Sequence, residues 1–260
     1  MATTMRSRSL GIVAVAGALA FAGAPANAVG LPSAPPMAKT CAGGAIPSGT
    51  YSSLRVTGDC SVAADAEIHV VRNVIIDRGA KLDAQRVPST ITIGGNVIGG
   101  SGSFVGLGCQ PPESTGNSAH PCEDDPDGIS DITVHGNVTT TGAETVMLNG
   151  ITVHGNVTLS GGGPEVWSIK NNTIDRNLTV TGVTTEWIGV MFNTVGRNVT
   201  LTNIEVNDIH PGAPGVFIVR NNIGRNLTCN GLTPGVSGGF VPGSVNVVGR
   251  NATGQCADLV

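Results

Sequence analysis

Along this chain an apolar residue, two turn residues, an asparagine and a second apolar residue recur in that order eight times. The asparagines are Asn73, Asn96, Asn137, Asn156, Asn177, Asn198, Asn226 and Asn251. Three residues before them stand Val70, Ile93, Val134, Val153, Ile174, Val195, Ile223 and Val248, and directly after them Val74, Val97, Val138, Val157, Leu178, Val199, Leu227 and Ala252. In a unit such as Val153 to Leu159 this pattern predicts a strand ending at Val153 and a two-residue turn with Asn156 at the corner. A second strand follows, with Val157 and Leu159 inward and Thr158 outward. Most gaps between asparagines are 19 to 28 residues, and the one of 41 is about two units with a marker missing. A period on that scale marks stacked coils, each burying its apolar side only against its neighbours. Helical periodicity is absent, and 38 glycines in 260 residues would weaken a helical alternative.

The position two before the asparagine is Gly94, His135, His154, Asp175, Gly196, Gly224 and Gly249 in successive units. Glycine dominates, and Asp and His tolerate positive φ, so a left-handed turn residue is expected there. An asparagine at the same corner of every coil can donate and accept through its amide to the coils above and below, satisfying turn groups that the sheets do not reach. A partial second column, Asn172, Asn193, Asn221 and Asn246, lies five residues earlier. This pattern resembles right-handed parallel β-helix proteins of the pectin-lyase-like type, whose Asn ladder lies at a two-residue turn, and more narrowly their uncharacterised secreted bacterial members. The resemblance covers roughly residues 54 to 256 and implies architecture alone: an all-β, right-handed parallel β-helix of about nine coils with an Asn ladder.

Both ends of the chain add detail. The first 28 residues carry Arg6 and Arg8, an apolar run from Leu10 to about Ala24, and Ala26-Asn27-Ala28 in small-x-small form. A signal peptide cleaved near Ala28 and a secreted product are expected, since the run is too short for a bilayer anchor. Residues 29 to 40, with Pro32, Pro35 and Pro36, read as a Pro-rich linker before a single domain from 41 to 260. The six cysteines, Cys41, Cys60, Cys109, Cys122, Cys229 and Cys256, all fall in the mature part. An even number in an exported chain favours disulfides over metal thiolates. Fifteen pairings are formally open; joining sequence neighbours closes three local loops, two of them at the solenoid ends.

Charge and aromatic content narrow the partners. Without the first 28 residues, 12 basic and 18 acidic side chains leave roughly −6, which disfavours nucleic acid and anionic lipid. One Tyr and two Trp weaken any stacking platform for bases or sugars. The expected partner is a cell-wall or extracellular polysaccharide, with no membrane engagement after cleavage and no cofactor beyond a candidate calcium ion. Seven Asn-x-Thr sequons arise, at Asn171 and at six of the corner asparagines. A ladder asparagine faces its neighbours, however, and Thr suits an outward strand position, so the sequons read as architecture.

Candidate chemistry is confined to a few columns and one loop. Glu144, Glu165 and Glu186 are each twelve residues before a corner asparagine and should stack about 4.8 Å apart. They are the candidates for a catalytic carboxylate pair acting on a glycan, or for a cation site; solvated glutamates at a strand start are the plainer reading. An insertion near residues 106 to 131 ends in alternating acids around Gly128, and Glu123, Asp125, Asp127 and Asp131 are the candidate calcium ligands. His135, His154 and Asp175 share one column and are metal-ligating types. Arg176, Arg197, Arg225 and Arg250 form a basic column beside them, and Thr139, Thr158, Thr179, Thr200, Thr228 and Thr253 an outward hydroxyl column. A second hydroxyl column runs through Thr141, Ser160, Thr181 and Thr202. Paired Asp, Gly-His-Gly and Arg-x-Lys elements of pectinolytic enzymes are missing from the repeat strands. Two functions follow: a non-catalytic secreted structural or surface-interaction protein, and a glycan-active lyase or hydrolase working through the glutamates. Ice binding through the Thr columns is a third, less favoured one.

Overall fold

The computed structural model describes residues 35–111, 119–207, 215–238 and 245–260. The expected signal peptide and residues 29–34 of the expected linker lie outside the described residues; the first strand, Lys39–Ile46, begins two residues inside that linker. Among the described residues every regular element is a β-strand, and the strands pair in parallel. One coil illustrates all of them. It runs up Thr152–Val153, turns at Asn156, continues along Val157–Ser160, turns at Gly161, and returns along Trp167–Lys170 before the next coil starts at Thr173–Ile174. Three ladders therefore line the chain, named faces A, B and C in that order. Face A is a nine-stranded sheet from Gly49–Tyr51 to Val247–Val248, with strands stacked in sequence order, which gives the nine coils expected. Faces B and C form one seventeen-stranded sheet because strands such as Leu54–Val62 run round the corner between them. The architecture is an all-β parallel β-helix.

Inward positions repeat like for like. Val97, Val138, Val157, Leu178, Val199 and Leu227 pair in register from coil to coil and all are fully buried. Parallel strands covered on the inner side by their own turns need such β-branched and aliphatic stacks, because every apolar group meets only its own coil and the two adjacent ones. Disulfides Cys41–Cys60 and Cys229–Cys256 tie the first and last coils, and Cys109–Cys122 closes the insertion. End coils have a neighbour on one side only, and a loop of this size stabilises by about 3 to 4 kcal/mol in the chain-entropy model.

The corner asparagines form the expected ladder. Asn96 donates its backbone N–H and side-chain amide to Asn73 Oδ1 at 2.9 and 3.4 Å, and the pattern repeats upward. Asn177 and Asn198 continue it, with Nδ2 donating to the preceding Oδ1 at 2.9 Å in each. These side chains are half-buried. The second column proves to be a fully buried ladder of opposite polarity, each asparagine donating to the coil that follows. Asn172 Nδ2 donates to Asn193 Oδ1 at 3.0 Å and Asn193 Nδ2 to Asn221 Oδ1 at 2.9 Å. Each also donates to a strand carbonyl, Asn193 to Ile169 O at 2.8 Å. At the far end Asn246 Nδ2 donates to Leu259 O at 2.9 Å, so the backbone at Leu259 caps the ladder.

Two expectations are corrected. The 41-residue gap holds one coil: Asn137 N donates to Asn96 Oδ1 at 2.8 Å, and Asp131–Val134 pairs directly with Ser89–Ile93. The extra length falls between Leu107 and Asp131, where residues 108–111 and 119–130 are described, and a corner carries it cheaply because loop-closure entropy grows slowly with length. The left-handed residue is also not two before the asparagine. Left-handed residues stand five or six after it, at Gly79, Gly102, Gly142, Gly161, Gly182, Asn203 and Gly231, between faces B and C, and six before it, at Gly150, Asn171, Phe192 and Arg220, between faces C and A. Glycines before the asparagine serve close approach instead: a Cβ on Gly136, Gly155, Gly196 or Gly224 would strike the carbonyl oxygen of the coil beneath. Where His135 and His154 occupy the earlier position, the glycine moves to the later one.

Burial ranks the two ladders. Asn193→Leu should cost about 3 kcal/mol or more in urea unfolding, since it removes the side-chain donor to Ile169 O and Asn221 Oδ1 and takes the Oδ1 acceptor away from the Asn172 backbone N–H inside the wall, each loss worth ~1 to 3 kcal/mol. Asn177→Leu, at the half-exposed corner, should cost roughly 1 to 3 kcal/mol. Equal losses would contradict the ranking.

Candidate functional site

The stacked glutamates sit where face B turns into face C. The constant register of 21 residues between the coils of Thr145–Asn149, Trp167–Lys170 and Ile188–Met191 puts Glu144, Glu165 and Glu186 on successive coils, all exposed. Their backbone is pinned from inside the wall. Buried Trp167 donates Nε1–H to Glu144 O at 3.0 Å, and buried Thr185 donates its hydroxyl to Glu165 O. Glu144 and Glu165 line one shallow groove of about 320 Å³ with Lys81, Phe104 and Thr145, whereas Glu186 lies outside it. Lys81 Nζ sits 4.8 Å above the Phe104 ring and 3.2 Å from Asp83. The groove thus offers two carboxylates and one ammonium to a polar ligand.

The acidic insertion is turned toward a guanidinium. Arg86 Nη2 and Nε lie 2.9 and 3.1 Å from Asp124 Oδ2, and Nε lies 3.9 Å from Glu123. The Asp124 hydrogen bonds and charge push the Arg86 pKa up. Gly128 N donates to Asp125 O at 3.0 Å, closing a turn. Among the described residues no three His, Cys, Asp or Glu side chains converge to hold a metal ion; Glu123, Asp125, Asp127 and Asp131 do not form such a set, nor do His135, His154 and Asp175. The two histidines stack instead, with ring centroids 5.1 Å apart, and His154 Nδ1 lies 2.6 Å from Asp175 Oδ2.

The Asn and Thr columns do come together. Thr139, Thr158, Thr179, Thr200, Thr228 and Thr253 stack in register, as do Thr141, Ser160, Thr181 and Thr202. An open groove of about 340 Å³ follows the corner and is lined by Asn156, Asn177, Asn198 and Asn226 and by Thr158, Thr179, Thr200 and Thr228. The ladder amides are donors to one another, so the nitrogens that sequon glycosylation would use are engaged. Sequence reasoning missed a further hydroxyl column on face A, Thr92, Thr133, Thr152, Thr173 and Thr194. Its signal was available as Thr four residues before most corner asparagines.

It also missed a polar cluster beneath the insertion. Asp83, Gln85, Asn149 and Ser168 are buried, with Ser168 Oγ donating to Asn149 Oδ1 at 2.8 Å and Gln85 Nε2 donating to Gly108 O at 3.1 Å. Asn149 Nδ2 and Gln110 Oε1 have no hydrogen-bond partner among the described residues. Burial lowers the Lys170 pKa, and burial, with the Lys170 charge adding to it, lowers that of His120 while Asp83 opposes. The sparse aromatics gather too: Trp187 and Phe217 lie 5.5 Å apart beside face C.

No protein-family model, curated protein or solved structure matches this chain. Fold and columns define its class as a disulfide-tied parallel β-helix with one buried and one half-buried Asn ladder and outward hydroxyl columns.

The pH behaviour follows from His120. Its folded pKa lies below the ordinary 6.5, so on acidification the unfolded chain takes up the proton first and stability falls as pH drops below about 6.5. Above that value both states are neutral and the effect vanishes. His120→Gln should flatten the fall in melting temperature between pH 6.5 and lower values; an unchanged slope would place the acid sensitivity elsewhere.

Proposed function

We propose that this chain is a secreted, non-catalytic surface-interaction β-solenoid that docks an extended extracellular polymer, a polysaccharide, along its outer columns. The observation that carries this reading is the corner groove, where amides and hydroxyls of only two residue types repeat over four coils. A rigid comb of identical donors and acceptors suits a ligand that is itself a repeat, because each ligand unit meets the same partners and the ordering entropy of the protein side has been met by folding. Three disulfides support an oxidising, extracellular setting. The grooves are open surfaces, unlike the enclosed apolar sites that bury small molecules.

One observation favours a second reading. Glu144 and Glu165 share a groove with Lys81, so a glycan-active enzyme, a lyase or hydrolase, would work there, with one carboxyl as acid and the other as base or nucleophile. Depletion assays on insoluble and soluble polysaccharides, together with product analysis, separate the two. Binding without new reducing or unsaturated ends, kept in Glu144→Gln plus Glu165→Gln, supports the scaffold. Turnover that drops by about 10² or more in those variants would replace it with the enzyme.

A further inference from the structure

Two histidines stand side by side on consecutive coils. His135 directly follows Val134 and His154 directly follows Val153, and those valines pair in register, so both imidazoles leave the wall at the same corner about one coil spacing, ~4.8 Å, apart. Their ring centroids lie 5.1 Å apart. The register carries on to the next coil, where Ile174 pairs with Val153 and brings Asp175 beside His154. His154 Nδ1 lies 2.6 Å from Asp175 Oδ2, and the two side chains are 43% and 49% exposed. A carboxylate only accepts, so Nδ1 carries the ring hydrogen in this pair, and Nε2 keeps the free lone pair of the neutral imidazole. His135 is exposed as well, and among the described residues its ring is engaged only by the stack on His154. Gly94 and Gly196 flank the three residues in the column and have no side chains to cover the rings.

We infer that His135 and His154 chelate one divalent first-row transition ion, with Asp175 orienting His154 and not serving as a third ligand. Two imidazoles that share an ion at the usual metal–nitrogen distance of about 2.0–2.1 Å have ring centres about 5 Å apart, a separation the stack already provides. The rings are exposed, and the broad χ2 well of histidine lets each turn one nitrogen toward the ion. A carboxylate that accepts the far ring hydrogen fixes the tautomer and the ring's orientation, and raises the basicity of the nitrogen left to ligate. Two ligands leave the ion's other positions open to water, and the site is a chelate on the surface, unlike a closed sphere of converging residues. Imidazole nitrogens suit Cu2+, Ni2+ and Zn2+ where carboxylate and carbonyl oxygens suit Ca2+ and Mg2+, and for a given nitrogen site the divalent series peaks at Cu2+. The chelate is thus separate in place and in ion from the acidic insertion, and it stands whether or not the chain docks a polysaccharide.

The test is calorimetric titration of the mature protein with Cu2+, Ni2+, Zn2+ and Ca2+, each alone in a non-coordinating buffer, with electron paramagnetic resonance of the Cu2+ form. One Cu2+ per chain should bind most tightly and show hyperfine coupling to imidazole nitrogen, whereas Ca2+ should give no heat that depends on these residues. His135→Gln and His154→Gln should each weaken Cu2+ by about tenfold or more, and Asp175→Ala by about tenfold, the scale of losing an orienting partner. Asp175→Asn keeps an acceptor for the Nδ1 hydrogen and should restore most of the affinity lost in Asp175→Ala; equal losses in the two would overturn the orienting role. His69→Gln, which removes an imidazole from the strand Ala66–Val70, should leave Cu2+ affinity within about twofold, as expected of a distant site. All three site residues are exposed, so the metal-free melting temperatures should not move. Copper binding that survives His135→Gln plus His154→Gln, a loss in only one of the two single variants, or no copper binding by the wild type would overturn the inference.

Discussion

In-register stacking of one coil on the next is the constraint from which the rest follows. Each coil places its strands about 4.8 Å above those beneath, so whatever stands at one position stands beside its own counterpart. Apolar counterparts give the valine and leucine stacks of the interior, all essentially without exposure. Polar counterparts must satisfy one another or be solvated. Asparagine solves this at the corners because one amide both donates and accepts, so a single residue type can be stacked indefinitely without leaving an orphan. Glutamate and arginine cannot do so, and they appear only where the wall faces solvent.

The two asparagine ladders run in opposite directions, the corner ladder donating toward the first coil and the buried one toward the last. Aligned amide dipoles add up along a column, and opposed columns offset one another. The buried ladder has the more demanding setting, since its members are fully buried and also donate to strand carbonyls. It ends on Leu259 O, and the nearby Cys229–Cys256 bridge holds that terminal turn in place. Stability at the C-terminal end therefore depends jointly on a covalent link and on an amide chain.

For function, stacking converts point chemistry into line chemistry. A side chain that would be unremarkable once becomes a row when repeated, and a row recognises repeats. This is why the groove along Asn177 and Thr179 carries more weight than any single residue, and why the pair Glu144 and Glu165 reads as part of a surface. The cluster around Lys170 and His120 is different in kind. It exists because described residues of the insertion, among them Gly108 and His120, lie against polar positions of face C, and the lowered proton affinities of Lys170 and His120 report their burial.

By itself the sequence determined the coil, its count and its corner, because an apolar-turn-Asn-apolar phrase recurring at a near-constant interval can bury its apolar face only by stacking. It also contained the Asn and Thr columns, which are periodic and so visible in one dimension, and it suggested pairing neighbouring cysteines while leaving fifteen pairings open. What only the tertiary structure decided lies where periodicity breaks or where direction matters. Gly196 and Gly224 could be read equally well as left-handed or as crowded, and only the backbone angle and the carbonyl beneath each of them resolve that. The direction of an amide ladder leaves no trace in spacing. The 41-residue gap between Asn96 and Asn137 hid one coil plus an excursion, because register is set by strand pairing and not by chain length. Nor could the sequence predict that Asp124 meets Arg86, 38 residues earlier, since a contact between a loop and a strand corner belongs to no repeat.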